Sequence, residues 1–171
     1  MESSSQPVIR MACARDANSL LEIYRPYVET TAISFDTVTP GVEAFASRIA
    51  SAQEKRGWLV AESDGRCIGY AYGTAHRPQE AYRYSVEVSA YVPDEYSRRG
   101  VAGRFYTGLF TILGQNGYQS AYAGVARPND RSCRSHEELG FRYIGVFPMV
   151  GYKFGKWHDV AWYYRPLAKS A

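Results

Sequence analysis

Tyr84-Ser85-Val86-Glu87-Val88-Ser89-Ala90-Tyr91-Val92 reads as a strand. Residues 93–97 carry it into Arg98-Arg99-Gly100-Val101-Ala102-Gly103, a turn that opens directly into a helix over residues 101–115. The N-terminus of a helix leaves backbone N–H groups unpaired and carries a partial positive charge. Glycine lets the backbone approach a ligand closely, and Arg98 and Arg99 add charge. In physical terms this is a cradle for a pyrophosphate. An ordinary basic loop with a glycine turn gives the same pattern, so the turn alone leaves both readings open. Neither Gly-Lys-Ser/Thr nor GxGxxG occurs there, which sets aside two common nucleotide loops.

Alternation along the strand divides its side chains. Arg83, Ser85, Glu87, Ser89 and Tyr91 share one face, and Val86, Val88, Ala90 and Val92 form the apolar other, unless a bulge shifts the register. Glu87 thus stands near the middle of a strand with Arg83 four residues before it, and a solvated Arg–Glu pair is one reading of the two.

Before this strand come a short extended segment at residues 8–12 and a helix capped by Asp16. Leu20, Ile23, Tyr24, Tyr27 and Val28 form its apolar stripe, and Pro26 predicts a kink or an early end. Thr39-Pro40 reads as the start of a second helix reaching about residue 51. Strands at 58–62 and 67–75 flank Ser63-Asp64-Gly65-Arg66, a hairpin signal. After the 101–115 helix, Asn116-Gly117 closes the turn. A strand at 120–126, a short helix at 129–139 stopped by Gly140, and antiparallel strands at 143–150 and 160–165 complete the chain. The order predicts an α/β (α+β) domain with a mixed central sheet and helices on both faces. The expectation is a single domain over residues 1–171, with an ordered core of about 8–167.

Composition narrows the classes. Twenty Lys and Arg against 17 Asp and Glu give a net charge of only +3, too little for a nucleic-acid surface. No apolar run approaches a membrane span, and residues 1–6 lack a secretory layout. Cys13, Cys67 and Cys133 stand far apart, which fits a reducing cytoplasm. His76, His136 and His158 are isolated, so no metal site is expected. The unusual feature is 15 tyrosines among 25 aromatic residues, suited to pockets and interfaces.

Arg98-Arg99-Gly100-Val101-Ala102 resembles the acyl-CoA motif of the GNAT superfamily of N-acetyltransferases. More closely, the chain resembles the phosphinothricin and methionine sulfoximine N-acetyltransferase family across residues 8–167. Ile33-Ser34-Phe35, Tyr82-Arg83-Tyr84-Ser85-Val86-Glu87, Asn129-Asp130-Arg131-Ser132 with His136-Glu137-Glu138-Leu139-Gly140-Phe141, and Val150-Gly151-Tyr152-Lys153-Phe154-Gly155-Lys156-Trp157-His158-Asp159-Val160 carry the match. Ser97 departs from the motif's usual Gln or Arg, and Ala102 from its second glycine.

The resemblance implies a GNAT fold whose sheet splays to form an acetyl-CoA cleft, and direct acetyl transfer to a small amino-acid-like amine. It implies that Ala90, Tyr91 and Val92 pair with the pantetheine arm. Arg98, Arg99, Gly100, Val101, Ala102 and Gly103 would hold the pyrophosphate, and Asn129 and Ser132 would stand at the thiol end. Glu87 matches the proposed base, His136 the position of an acid, and His158 a helper of the base. Phe35, Arg77, Tyr82 and Arg83 match the substrate wall, with the two arginines taking its anionic groups. The expected state is a cytoplasmic homodimer with acetyl-CoA as co-substrate, no metal, no nucleic acid and no membrane. The alternatives are an acetyltransferase for another amine (an ordinary amino acid, a polyamine or a protein N-terminus) and a non-catalytic acyl-CoA sensor. Of the tyrosines, Tyr82 and Tyr91 are expected to face a cleft, and Tyr24 and Tyr27 to serve mainly as packing.

Overall fold

A computed structural model describes residues 6–97 and 100–167. Its strands are β1 (Val8–Met11), β2 (Trp58–Ser63), β3 (Arg66–Ala75), β4 (Ser85–Tyr91), β5 (Ser120–Ala126), β6 (Arg142–Lys153) and β7 (Lys156–Pro166). The helices are α1 (Ala17–Glu29), α2 (Val42–Gln53), α3 (Asp94–Ser97), α4 (Val101–Gln115) and α5 (Asp130–Glu138). The strands form one mixed sheet in the order β1-β2-β3-β4-β5-β7-β6. Only β4 and β5 run parallel, and their ladder is short: Ser85↔Ser120, Val86↔Ala121 and Glu87↔Tyr122. Beyond Glu87 the two strands part, and a gap opens at their C-terminal ends.

Each face of the sheet has its own core. The stripe of α4 (Val101, Phe105, Leu109, Leu113) packs on Val86, Val88, Ala121 and Ala123. On the other face α1 and α2 cover Trp58, Val60, Tyr70 and Tyr91. Much of the tyrosine excess is spent here. Cross-strand partners Trp58 and Tyr72 stack with ring centroids 4.1 Å apart, and cross-strand partners Tyr70 and Tyr91 lie 5.4 Å apart. Such pairs add to sheet stability beyond the area they bury.

The β3–β4 register is unbroken from Tyr70↔Tyr91 to Ala75↔Val86, so the two-face reading of β4 holds within the strand. Four boundaries differ from expectation. Arg83 and Tyr84 precede β4, following a 3₁₀ turn at Glu80–Tyr82. Helix α1 continues past Pro26 to Glu29. Proline there removes the helical bond to the Glu22 carbonyl, and the helix nonetheless runs one more turn, with Thr30 bonding the Pro26 carbonyl through both N–H and hydroxyl. Helix α2 begins at Val42 with extended Gly41 as cap, because the first helical bond runs from Phe45 N–H to the Gly41 carbonyl. Finally, β6 and β7 form one long hairpin, turning at Phe154 and Gly155 with φ of 53° and 74°. A bulge sets residues 148–150 against Asp159 alone, which breaks the alternation that would have revealed it. Among the described residues no helix is long and apolar enough to cross a membrane.

Candidate active site

The gap between β4 and β5 is a cleft of about 210 Å³ lined by Ala90, Tyr91, Val92, Ala102, Asn129 and Ser132. Past Glu87, β4 offers its main chain on the side that β5 has left. Gly100, with φ of 67°, turns the chain into α4 in a conformation that suits glycine. The α4 N-terminus therefore points unpaired N–H groups outward from a tight turn. Val101 buries its side chain completely, so only its main chain is available to a ligand. A Cβ at Gly103 would meet Leu139, which lines the cleft, although Gly103 does not line it itself. Arg98 and Arg99 lie outside the described residues.

Asn129 caps α5, its side-chain oxygen accepting the Ser132 N–H at 3.2 Å. His136 follows one turn later and is buried. Its Nδ1 is 2.7 Å from the Ser132 carbonyl, which can only accept, so Nδ1 carries the hydrogen. Nε2 then accepts from the Tyr106 hydroxyl at 3.2 Å. Burial pushes the imidazole pKa below its ordinary value, which keeps the ring neutral.

A second cavity, about 550 Å³, adjoins the cleft and shares Ile33 and Tyr91 with it. Glu87, Ser89, Phe35, Arg77, Arg48 and Trp162 line it. One carboxylate oxygen of Glu87 receives two donors, His76 Nδ1 at 2.8 Å and Arg77 at 3.2 Å. Arg48 reaches from α2 to Asp36 at 2.7 Å, and the Tyr24 hydroxyl bonds both Asp36 at 2.8 Å and Ser34 at 2.6 Å. Burial pushes the Tyr24 phenol up to about 12, so it serves as a neutral donor. Phe35 is wedged over Gly151 of β6, where any Cβ would run into its ring. The preceding carbonyl, Ser34, accepts from buried Lys153 at 2.7 Å. Burial lowers the Lys153 pKa.

The structure thus brings Glu87, Phe35 and Arg77 to one cavity. Arg83 is exposed, paired with Glu80 and laid on the Tyr84 ring, because the 3₁₀ turn carries it away from the strand face. Tyr82 is outside the cavity lining and meets the His76 ring edge-on, with centroids 5.4 Å apart. His158 is buried behind Phe35 and hydrogen-bonds the Lys153 carbonyl at 3.0 Å. Tyr24 and Tyr27 do more than pack. Tyr24 lines the cavity that holds Glu87, and the Tyr27 hydroxyl donates to the Val92 carbonyl at 3.0 Å beside the cleft.

Sequence reasoning passed over His76, Arg48 and the Tyr24–Asp36 pair. A signal for His76 existed, since it is two residues beyond Thr74, the partner of Glu87, and side chains two apart share a face. Arg48 and Asp36 gave none, because only tertiary packing brings α2 over the sheet. A larger cavity of about 870 Å³ lies along α1. There Arg10 already holds Asp16 and Glu62, at 2.8 and 3.1 Å.

Residues 9–162 match the acetyltransferase (GNAT) domain. The chain is 35% identical to a phosphinothricin N-acetyltransferase of Streptomyces coelicolor, over 98% of this chain and all of that protein. It is 31% identical to an L-methionine sulfoximine/L-methionine sulfone acetyltransferase of Salmonella typhimurium, over 95% of this chain and 96% of that protein. Among solved structures, a phosphinothricin acetyltransferase of Sinorhizobium meliloti in complex with acetyl-CoA superposes with a TM-score of 0.90 at 30% identity. That match covers 96% of this chain and 90% of the other.

Proposed function

Because the chain belongs to the GNAT family of N-acetyltransferases, we propose that it moves the acetyl group of acetyl-CoA directly to the amine of a small amino-acid-like substrate. The substrate class is that of phosphinothricin or methionine sulfoximine, the compounds named for its relatives. One observation carries this reading: the cavity holding Glu87 and the cleft between the parted strands share Tyr91 and Ile33. An amine beside Glu87 therefore meets whatever reactive group lies in the cleft.

The cleft fits acetyl-CoA in its donor set. The free edge of β4 at Ala90, Tyr91 and Val92 suits a pantetheine arm added as a strand. The N–H groups at Gly100, Val101, Ala102 and Gly103, with Arg98 and Arg99, suit a pyrophosphate. Asn129 and Ser132 flank the thiol end. When bound, acetyl-CoA supplies an activated acetyl thioester. Glu87 takes the ammonium proton on its carboxylate, directly or through a water, and frees the lone pair for attack. It acts as a base and not as a nucleophile, so no acyl group passes through the protein. With acetyl-CoA bound, the C–N bond would form as the thioester C–S bond breaks. CoA would leave as its thiolate or, with a proton from water, as its thiol, and the second amine proton would pass to water. A main-chain N–H near Tyr91 or Val92 donates to the developing negative oxygen. Arg77 and Arg48 are the cations for the substrate's anionic groups. His136, neutral with both ring nitrogens engaged, supports the cleft wall in this reading and supplies no proton. His158 supports Phe35 from behind.

The dimer reading draws on β6. This edge strand exposes Tyr143, Ile144, Phe147, Met149, Val150 and Tyr152, and a bare apolar edge invites a partner. Sedimentation tests it, and a monomer at micromolar concentration removes it.

A thiol-release screen tests the activity. Phosphinothricin and methionine sulfoximine should each release CoA thiol faster than polyamines or ordinary amino acids. Release with polyamines alone would shift the assignment to another amine, and an absence of release with every amine would favour the sensor.

A further inference from the structure

We propose that His76 is a positioning residue for Glu87, holding one carboxylate oxygen so that the other is presented to the amine. This rests on Glu87 being the base. His76 lies just past the end of β3, on the face that Thr74 shares with Glu87 across the ladder. Its Nδ1 is 2.8 Å from Glu87 Oε1. An ionised carboxylate can only accept, so Nδ1 is the donor. Arg77 donates to the same oxygen at 3.2 Å. Among the described residues, Oε2 makes no hydrogen bond, and it is the oxygen left for a proton.

The ring itself is held from three sides. It stacks on Tyr122 of β5 with centroids 5.1 Å apart and an interplanar angle of 24°. The Tyr82 ring meets it from the 3₁₀ turn at 5.4 Å, and Trp162 of β7 edges it at 6.5 Å. Such a cage fixes the imidazole plane and aims Nδ1 at the carboxylate, a degree of preorganisation that a surface ion pair lacks. The charged and titratable groups facing His76 are Glu87 from β4, Arg77 beside it, Tyr82 and Tyr122. Glu87 is the only acid among these. The donor therefore acts on the base and on nothing else in the cavity.

The test compares His76→Phe, which keeps a stacking ring and removes the donor, with His76→Asn, which keeps an N–H near the position of Nδ1. Both are made in the natural chain and in Glu87→Gln, with thermal melting to confirm folding. His76→Phe should lower kcat about tenfold, in keeping with loss of a hydrogen bond to a charged group. It should leave KM for acetyl-CoA in place, a split between kcat and KM that a general loss of structure would not give. His76→Asn should recover most of that loss. In the Glu87→Gln background, His76→Phe should add little, because the group it positions is gone. The proposal is overturned by natural kcat in His76→Phe. It is equally overturned if His76→Asn is as impaired as His76→Phe, or if the tenfold loss persists in Glu87→Gln. Natural turnover in Glu87→Gln alone removes the base reading itself, and with it this one. That result is distinct from an intact Glu87 dependence with an inert His76→Phe.

Discussion

The two halves of the site are built from different materials. The cleft between β4 and β5 is mostly main chain: a strand edge left unpaired after Glu87 and a helix N-terminus turned by Gly100. The cavity beside it is mostly side chain. Glu87, Ser89, Phe35, Arg48, Arg77 and Trp162 reach it from β4, β7, α2 and two loops. A main-chain site tolerates changes of side chain, because its donors survive most substitutions. A side-chain site loses a contact with each one. The comparison therefore predicts that substitutions around the cavity act on the amine and on turnover, while those in the cleft do little singly.

The largest effect should come from Glu87→Gln. Turnover should fall by on the order of a hundredfold or more, with acetyl-CoA affinity near natural by calorimetry. Comparable loss in both measurements would dissolve the division between halves. Next is Arg77→Ala, which removes a cavity cation and one donor to Glu87. KM for an anionic amine should rise about tenfold, and an unchanged KM would take Arg77 out of substrate binding. Gly151→Ala follows. Its methyl group must push the Phe35 ring off β6, so the amine KM should rise by about fivefold while that for acetyl-CoA holds. Ala102→Ser, in the cleft wall, should change acetyl-CoA affinity by no more than about twofold. A larger change would show that side chains matter in the cleft too.

Asp16→Asn is the control remote from both halves. Arg10 beside it holds the Asp16 carboxyl at about 2, below the ordinary value of 3.8. The pair therefore stabilises the fold fully above about pH 4, and its contribution is lost as pH falls toward 2. Arg10 is partly exposed, so after solvent screening the substitution should cost about 1–2 kcal/mol at neutral pH, with kcat and both KM values unchanged. Thermal melting at pH 7 and pH 3 reads the difference, which should shrink at the lower pH.

How much of this was readable from the chain follows the same division. The β4-turn-α4 unit was legible because it is local: alternation at Val86 and Val88, an apolar stripe from Val101 to Leu113, and a glycine at the junction. Those signals are set by neighbours within a few residues, where backbone sterics act. The hairpin of β6 and β7 was half legible. Its turn uses Phe154-Gly155 in place of the usual Asn-Gly, and the bulge at residues 148–150 hides its period. Reading Arg83 onto the strand face carries the alternation two residues too far, past the start of β4 to the cap of a 3₁₀ turn.

The sequence by itself determined the mixed α/β fold, the family, the cleft-forming strand and helix, and the face on which Glu87 stands. Each depends on periodicity or on short motifs, and these survive in one dimension. Tertiary structure alone decided that β4 and β5 part after Glu87, that Arg48 rather than Arg83 reaches the cavity, that His136 is neutral and engaged, and that His76 holds the carboxylate. Those facts depend on which surfaces meet, and residues 11 or 12 apart in sequence, like His76 and Glu87 or Asp36 and Arg48, become neighbours only when the sheet and its helices close on one another.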